Sequence, residues 1–228
     1  MSNELLWLGF MLLDLGAVLV FFRAFGKYGL YMVMVTSIIV CNIQVMKLVT
    51  LFGLPATLGN ILYAGLFFST DILSEVYGKK EAKRGVWLGF AALILAMVYM
   101  QVALRFAPAP EDTAQPALEK IFSFFPRVAL ASLCAYLSSQ LHDVWAFHYW
   151  KKKTSGRHLW IRNNASTMVS QLIDSAVFCL IAFYRVFPGP VLLEIFVTTY
   201  VFKLIVAAAD TPFIYWGRRL GRRLPQER

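Results

Sequence analysis

Long unbroken apolar runs constrain this chain more than any other feature. A bilayer crossing needs about 20 mostly apolar residues, because each adds about 1.5 Å across a hydrocarbon core about 30 Å thick. Residues 5–22, 30–51, 59–76, 86–104, 128–147, 165–187 and 191–216 meet or approach that requirement. The third run is the shortest, and polar residues dilute the end of the fifth. Hydrophobic residues make up 59% of the 228 and charged residues 15%, with mean hydropathy +0.61. Soluble domains sit near about 45–50% and about 25%. A disordered chain, a secreted disulfide scaffold and an ordinary cytoplasmic enzyme are excluded. The reading is an all-α polytopic membrane helical bundle of about seven spans, forming one domain over residues 1–228.

The net charge of +9 suggests nucleic acid until the charges are located. With the N-terminus outside, one face collects Arg23, Lys27, Lys79, Lys80, Lys83, Arg84, Lys151, Lys152, Lys153, Arg157, Arg162, Arg218, Arg219, Arg222, Arg223 and Arg228. The other receives only Arg105, Lys120, Arg127 and Arg185. Cytoplasmic loops retain Lys and Arg, so the C-terminus is expected in the cytoplasm. The basic residues then meet anionic head groups, and no nucleic-acid partner is expected. Met1 to Glu4 carry no Lys or Arg, so the first run reads as a retained helix rather than a signal peptide. Cys41, Cys134 and Cys179 all lie inside apolar runs, an odd set that argues against structural disulfides. The proline-bearing connection 107–126 reads as a loop with little regular structure.

Ionisable groups at bilayer depth cost about 2.5–3.5 kcal/mol each on insertion scales, so they face a cavity or a partner. Asp14, Lys47, Asp71, Glu75, Asp143, Asp174, Lys203 and Asp210 all fall within the predicted spans. Asn163, Thr167, Gln171 and Asp174 are spaced by 4, 4 and 3 residues and share one helical face, with Ser166 and Ser170 beside them. That stripe cannot face lipid. Gln140 and Asp143 share a face of the fifth span, with Tyr136 a turn earlier. Asp71 and Glu75 are one turn apart in the third, after Thr70. Lys203 and Asp210 share a face of the seventh, and Asn42, Gln44 and Lys47 lie in the second. Lys203 is the natural counter-ion for a carboxylate on a neighbouring span.

These residue types suit a flat, polar, weakly charged solute with several hydrogen-bond donors. A guanine-like ring presents a lactam N–H and an exocyclic amine to one carboxylate, Asp143 or Asp174. Its carbonyl needs an amide donor, Gln140 or Gln171. Other heterocycles would be served by the same set. Catalysis finds no support. His142, His148 and His158 make no His-Glu-x-x-His pattern, and no nucleophile elbow or phosphate loop is present. No metal, cofactor or catalytic residue is expected.

Three ordered motifs bring in a family. Ser69-Thr70-Asp71-Ile72-Leu73-Ser74-Glu75-Val76-Tyr77-Gly78, Ser139-Gln140-Leu141-His142-Asp143-Val144-Trp145, and Trp160-Ile161-Arg162-Asn163-Asn164-Ala165-Ser166-Thr167 running on to Asp174 resemble signatures of the queuosine precursor transporter family, also called vitamin uptake transporters. Phe202-Lys203 followed by Thr211-Pro212 fits its last span. The resemblance implies import of deazaguanine bases for queuosine salvage, a bacterial inner-membrane location and no ATPase of its own. It carries over Asn42, Asp71, Gln140, Asp143, Ser166, Thr167, Asp174 and Lys203 as substrate-site residues. The stripe adds Asn163 and Gln171, and Lys47, Glu75 and Asp210 are secondary candidates. Some family members lack the first helix, which implies a six-helix core plus an N-terminal helix, with Asp14 peripheral.

The runner-up is a substrate-binding subunit of an energy-coupling-factor importer that needs a partner ATPase. Such subunits typically carry a small-xxx-small docking surface with alanines on the first core helix. Neither of the first two spans has an Ala-x-x-x-Ala pair. A membrane scaffold without transport is the third class. Transport is expected to alternate access through a polar pocket among spans two, three, five, six and seven. Proton coupling and facilitated diffusion both fit, and a homodimer is compatible with apolar outer faces.

Overall fold

A computed structural model describes residues 2–45, 47–123, 125–154, 159–185 and 188–222, with the side chains at 48, 54–57, 125, 159–165, 167, 191, 207 and 210 outside that description. The elements in order are α1 (Asn3–Gln44), β1 (Leu48–Leu51), β2 (Leu54–Thr57), α2 (Gly59–Val76), α3 (Lys79–Ala103), α4 (Gln115–Phe122), α5 (Phe125–Lys153), α6 (Leu159–Phe183) and α7 (Gly189–Gly221). Among the described residues, α1 and α3 are long and apolar enough to cross a membrane. The bent pairs α4–α5 and the two arms of α7 also qualify when each is taken as one crossing.

Drawn straight, the 42 residues of α1 would reach about twice the hydrocarbon thickness. They do not run straight. Gly26 adopts φ 58°, ψ −136°, a conformation open to glycine, and breaks the helix into arms 3–25 and 27–44. The arms fold back on each other, because the Asn3 amide donates to the Thr50 carbonyl at 3.1 Å, just beyond the end of the second arm. The first two predicted spans are therefore a helical hairpin joined at one glycine. The second ends earlier than expected. Its predicted reach to residue 51 is corrected by a helix end at Gln44 and an antiparallel hairpin pairing Leu48 with Thr57 and Leu51 with Leu54. The β-branched residues Val49, Thr50 and Thr57 suit strands, and Pro55 in mid-helix would cost a hydrogen bond. At the tip, Phe52 and Gly53 both have positive φ (51° and 78°), as a two-residue hairpin turn needs. Phe52 donates its N–H to Glu4 (3.2 Å) and stacks its ring on Phe202 with centroids 6.4 Å apart. Hydrogen bonds from the backbone N–H groups of Glu4 and Phe52 hold the Glu4 carboxyl below its usual range.

The third predicted span, 59–76, coincides with α2. The connection 107–126 is more regular than expected. It contains α4, which begins on the helix-compatible pair Gln115-Pro116 and packs Phe122 against Ala129.

Helix α2 is the centre of the bundle: every residue from Gly59 to Ser74 is buried, under α1, α3, α5 and α7. Such close packing needs small residues at the crossings. A Cβ on Gly65 would lie 2.2 Å from an Asp14 carboxylate oxygen, so the first arm of α1 rests on α2 there. A Cβ on Gly89 of α3 would lie 2.4 Å from the Tyr136 hydroxyl. Elsewhere the packing is pinned by polar ends. Tyr31 donates to Glu81 (2.5 Å), and that bond holds the Glu81 carboxyl below its ordinary range, with Arg84 assisting. Arg127 at the start of α5 donates to the Ile181 and Tyr184 carbonyls at 2.9 and 2.6 Å, satisfying the open C-terminal end of α6. Helix α5 makes its most extensive contact with α6.

The clash at Gly65 gives a direct test. Gly65→Ala should destabilise the detergent-solubilised protein by about 1–3 kcal/mol, the usual cost of overpacking. Thermal unfolding of Asp14→Ala/Gly65→Ala should recover most of that loss, because Asp14→Ala removes the atoms in the way.

Candidate functional site

Four helices bring the predicted polar residues to one place. Along α2, Tyr63, Thr70, Asp71 and Glu75 descend the bundle interior over about 18 Å, at 1.5 Å per residue. Helix α5 faces them with Ser139, Gln140 and Asp143, helix α6 with Ser166, Ser170, Gln171 and Asp174, and helix α7 with Lys203.

One end of the set is held by a buried ion pair. Lys203 contacts Asp174 Oδ2, and the side chains are 7% and 2% exposed. The other carboxylate oxygen accepts from the Tyr63 hydroxyl (2.7 Å) and the Ser139 hydroxyl (3.1 Å). The Lys203 ammonium also lies 4.7 Å from the centre of the Tyr63 ring. A buried ion pair survives only when its remaining hydrogen-bonding capacity is met, and here α2, α5 and α7 meet it around one α6 carboxylate. Both Asp174 oxygens are thus committed to protein partners.

The next tier toward the basic end is less complete. Thr70 places its hydroxyl 2.9 Å from both Gln140 Oε1 and the Leu66 carbonyl. The Gln140 amide nitrogen has no hydrogen-bond partner among the described residues. Neither polar atom of the Gln171 amide has one either. Gln171 is three residues from Asp174 and so projects from the same face of α6. The Asp143 carboxyl lies within reach of the Asp71 carboxyl and the hydroxyls of Ser166 and Ser170. Neither of its oxygens takes an aligned hydrogen bond among the described residues. Ser170 donates to the Ser166 carbonyl (2.8 Å) and shares a hydrogen bond with His142 Nδ1 (2.9 Å). Gln140, Asp143 and Gln171 are all 0% exposed, so their spare capacity faces the protein interior. An unmet buried polar atom costs about 1–3 kcal/mol, which a ligand carrying the complementary groups can relieve.

The Tyr136 hydroxyl, above Gly89, also lacks a partner among the described residues. Its ring and that of Tyr63 meet edge to face at 6.2 Å and supply aromatic wall. Asn42 at the end of the second α1 arm is buried and donates to its own helix at Ile38 (2.8 Å), and its amide oxygen has no hydrogen-bond partner among the described residues.

Other candidates fall elsewhere. Lys47 was expected at membrane depth but is exposed, in the link between α1 and β1, because the helix stops at Gln44. Glu75 is paired with Lys151 (3.2 Å) and Arg218 (3.0 Å) at the basic end of the bundle. The side chains of Asn163, Thr167 and Asp210 lie outside the described residues. Sequence reasoning overlooked Tyr63, Ser139, Lys151 and Arg218 as partners. Ser139 opens a quoted motif and was visible there. Tyr63 sits in an apolar run and had no signal beyond its hydroxyl.

The geometry predicts which ionic contact matters for folding. Lys203→Met should cost about 3–5 kcal/mol, because it strands the Asp174 charge. Asp174→Asn/Lys203→Met should recover most of that loss in the same thermal-unfolding measurement, and recovery is the result that separates charge balance from mere packing.

Comparison with known proteins places this chain among membrane transporters. A family profile described as "Putative vitamin uptake transporter" matches residues 57–217. The chain is 43% identical over 221 residues to a Bacillus subtilis (strain 168) protein named "Probable queuosine precursor transporter", covering 96% of each. It is 28% identical over 169 residues to the "Queuosine precursor transporter" of Escherichia coli (strain K12), covering 73% of this chain and 74% of the relative. A Haemophilus influenzae relative with the same name as the first is 27% identical over 135 residues, covering 59% of this chain and 54% of its own length. No solved structure matches significantly.

Proposed function

The chain belongs to the vitamin uptake transporter family, and on that premise we propose that it imports queuosine precursors, deazaguanine bases, across the bacterial inner membrane for tRNA queuosine salvage. The observation that carries the reading is the buried set of Asp143, Gln140 and Gln171, whose polar atoms have spare hydrogen-bonding capacity between α2, α5 and α6. A deazaguanine edge is complementary to that set. Its lactam N–H and exocyclic amine donate to the Asp143 carboxylate, and its carbonyl accepts from the Gln140 or Gln171 amide. Tyr63 and Tyr136 offer aromatic faces against the ring.

Asp174 takes a different role from the one expected of it. With its oxygens held by Lys203, Tyr63 and Ser139, it frames the site rather than gripping the base. Asn42, Asp71 and Ser166, all buried, complete the wall. The N-terminus lies outside and the C-terminus in the cytoplasm, which the clustering of Lys151 and Arg218 at one end of the bundle supports. Access alternates between the two faces, and the chain performs no covalent chemistry on its substrate.

Cells blocked in queuosine synthesis and supplied with low external precursor provide the test. The gene alone, without any coupling-factor module, should restore queuosine in tRNA. Asp143→Asn at normal expression should reduce that restoration at least tenfold, since a charged hydrogen bond is worth about 1.5–3 kcal/mol. No restoration by the wild-type chain inserted in the membrane would overturn the assignment in favour of a partner-dependent subunit or another heterocycle. Full restoration by Asp143→Asn would overturn the role given to that carboxylate.

A further inference from the structure

Glu75 is among the most strongly tied side chains of the bundle, yet it lies outside the substrate-complementary tier. It sits one turn below Asp71 at the basic end of α2, with its side chain 6% exposed. Lys151 of α5 reaches both its carboxylate and its backbone carbonyl, each at 3.2 Å. Arg218 of α7 holds the other carboxylate oxygen through Nε at 3.0 Å. The two cations are 33% and 32% exposed. The cluster therefore stands where the polar column meets water, and it crosses three of the four helices that wall the column.

The helix carrying Arg218 is broken. Pro212 lies inside α7, and residues Leu192–Val206 and Thr211–Gly221 are inclined by 44°. Proline removes a helical hydrogen bond and permits bending at that point. Lys203 belongs to the long arm and Arg218 to the short one. The short arm seats on α2 through glycines: a Cβ on Gly217 would meet Ile72 at 3.0 Å, and one on Gly221 would meet Val76 at 2.7 Å. The same arm packs Phe213 edge to face on Phe68 of α2 at 6.4 Å and buries Ile214, so it moves as one body about the bend at Pro212. The short arm can leave Glu75 while the long arm keeps Lys203 on Asp174.

We propose that Glu75, clamped by Lys151 and Arg218, is the latch that closes the polar column toward the basic face, and that the arm of α7 beyond Pro212 swings to open it. The two ionic clusters divide the work by burial. The Asp174–Lys203 pair is sealed and expensive to break, whereas the cations of the latch, each about a third exposed, reach water and are released at lower cost. This assignment rests on the transport reading above, but the motion is measurable without any substrate.

The test replaces Cys41, Cys134 and Cys179 by Ala and introduces Ser74→Cys as a reporter, since Ser74 is fully buried directly beside the latch. In inside-out vesicles, a membrane-impermeant maleimide should label the reporter slowly. Glu75→Gln should accelerate labelling on the order of tenfold, the change expected when about 1.4 kcal/mol is lost from the closed state. Lys151→Gln and Arg218→Gln, which each leave Glu75 one partner, should give smaller accelerations, and Glu75→Asp should restore slow labelling. Unchanged labelling in all three Gln variants, each monodisperse in detergent, overturns the latch. Should Glu75→Gln fail to fold, the Lys151 and Arg218 variants decide alone. Protection of the reporter by an added deazaguanine base tests the transport reading separately, so failure of one leaves the other legible.

Discussion

The Asp174–Lys203 contact governs the interior of this bundle. Two opposite charges at membrane depth are tolerable only together, and only when their hydrogen-bonding capacity is filled. Tyr63 and Ser139 fill it, so a single carboxylate fixes the relative positions of α2, α5, α6 and α7. The other polar residues inherit their placement from that junction. Once α5 and α6 are in register at Ser139 and Asp174, His142 meets Ser170 one turn on, and Asp143 comes within reach of Ser166 and Ser170.

Helix α2 carries the consequences through the bundle. Its buried length allows Tyr63, Thr70, Asp71 and Glu75 to address successive levels of the interior. The upper level is ionic and closed, the middle level retains spare hydrogen-bonding capacity, and the lower level is ionic but wetted. Small residues make this arrangement possible. Gly65 accepts Asp14, Gly89 accepts Tyr136, and Gly217 and Gly221 lie against Ile72 and Val76. Each contact brings backbones close enough for short polar side chains to reach across, which bulkier residues would forbid.

Much of the architecture was legible because hydrophobic length is a local property. The third predicted span coincides with α2, and of the polar stripe on the sixth span Gln171 and Asp174 are buried in the interior, with Ser166 and Ser170 beside them. Misreadings arose where apolarity and helix ceased to coincide. Residues 48–57 are apolar but β-branched and proline-bearing, so they form a hairpin and leave Lys47 exposed. Prolines in the connection 107–126 concealed α4, whose first turn accepts one without loss.

By itself the sequence determined a helical membrane bundle, its basic face and the set of polar residues too expensive to leave in lipid. Composition, run length and helical spacing suffice for those, because they depend on the solvent and on neighbours a turn away. Only the tertiary structure decided which carboxylate holds the buried cation. Spacing offered Asp143 and Asp174 equally, but Lys203 lies 29 residues from Asp174 and Tyr63 lies 111 residues from it. Such pairings depend on which helices pack face to face, and no local pattern encodes that. The same holds for Glu75, whose partners Lys151 and Arg218 read in sequence as ordinary interfacial charges and meet only when α5 and α7 close around α2.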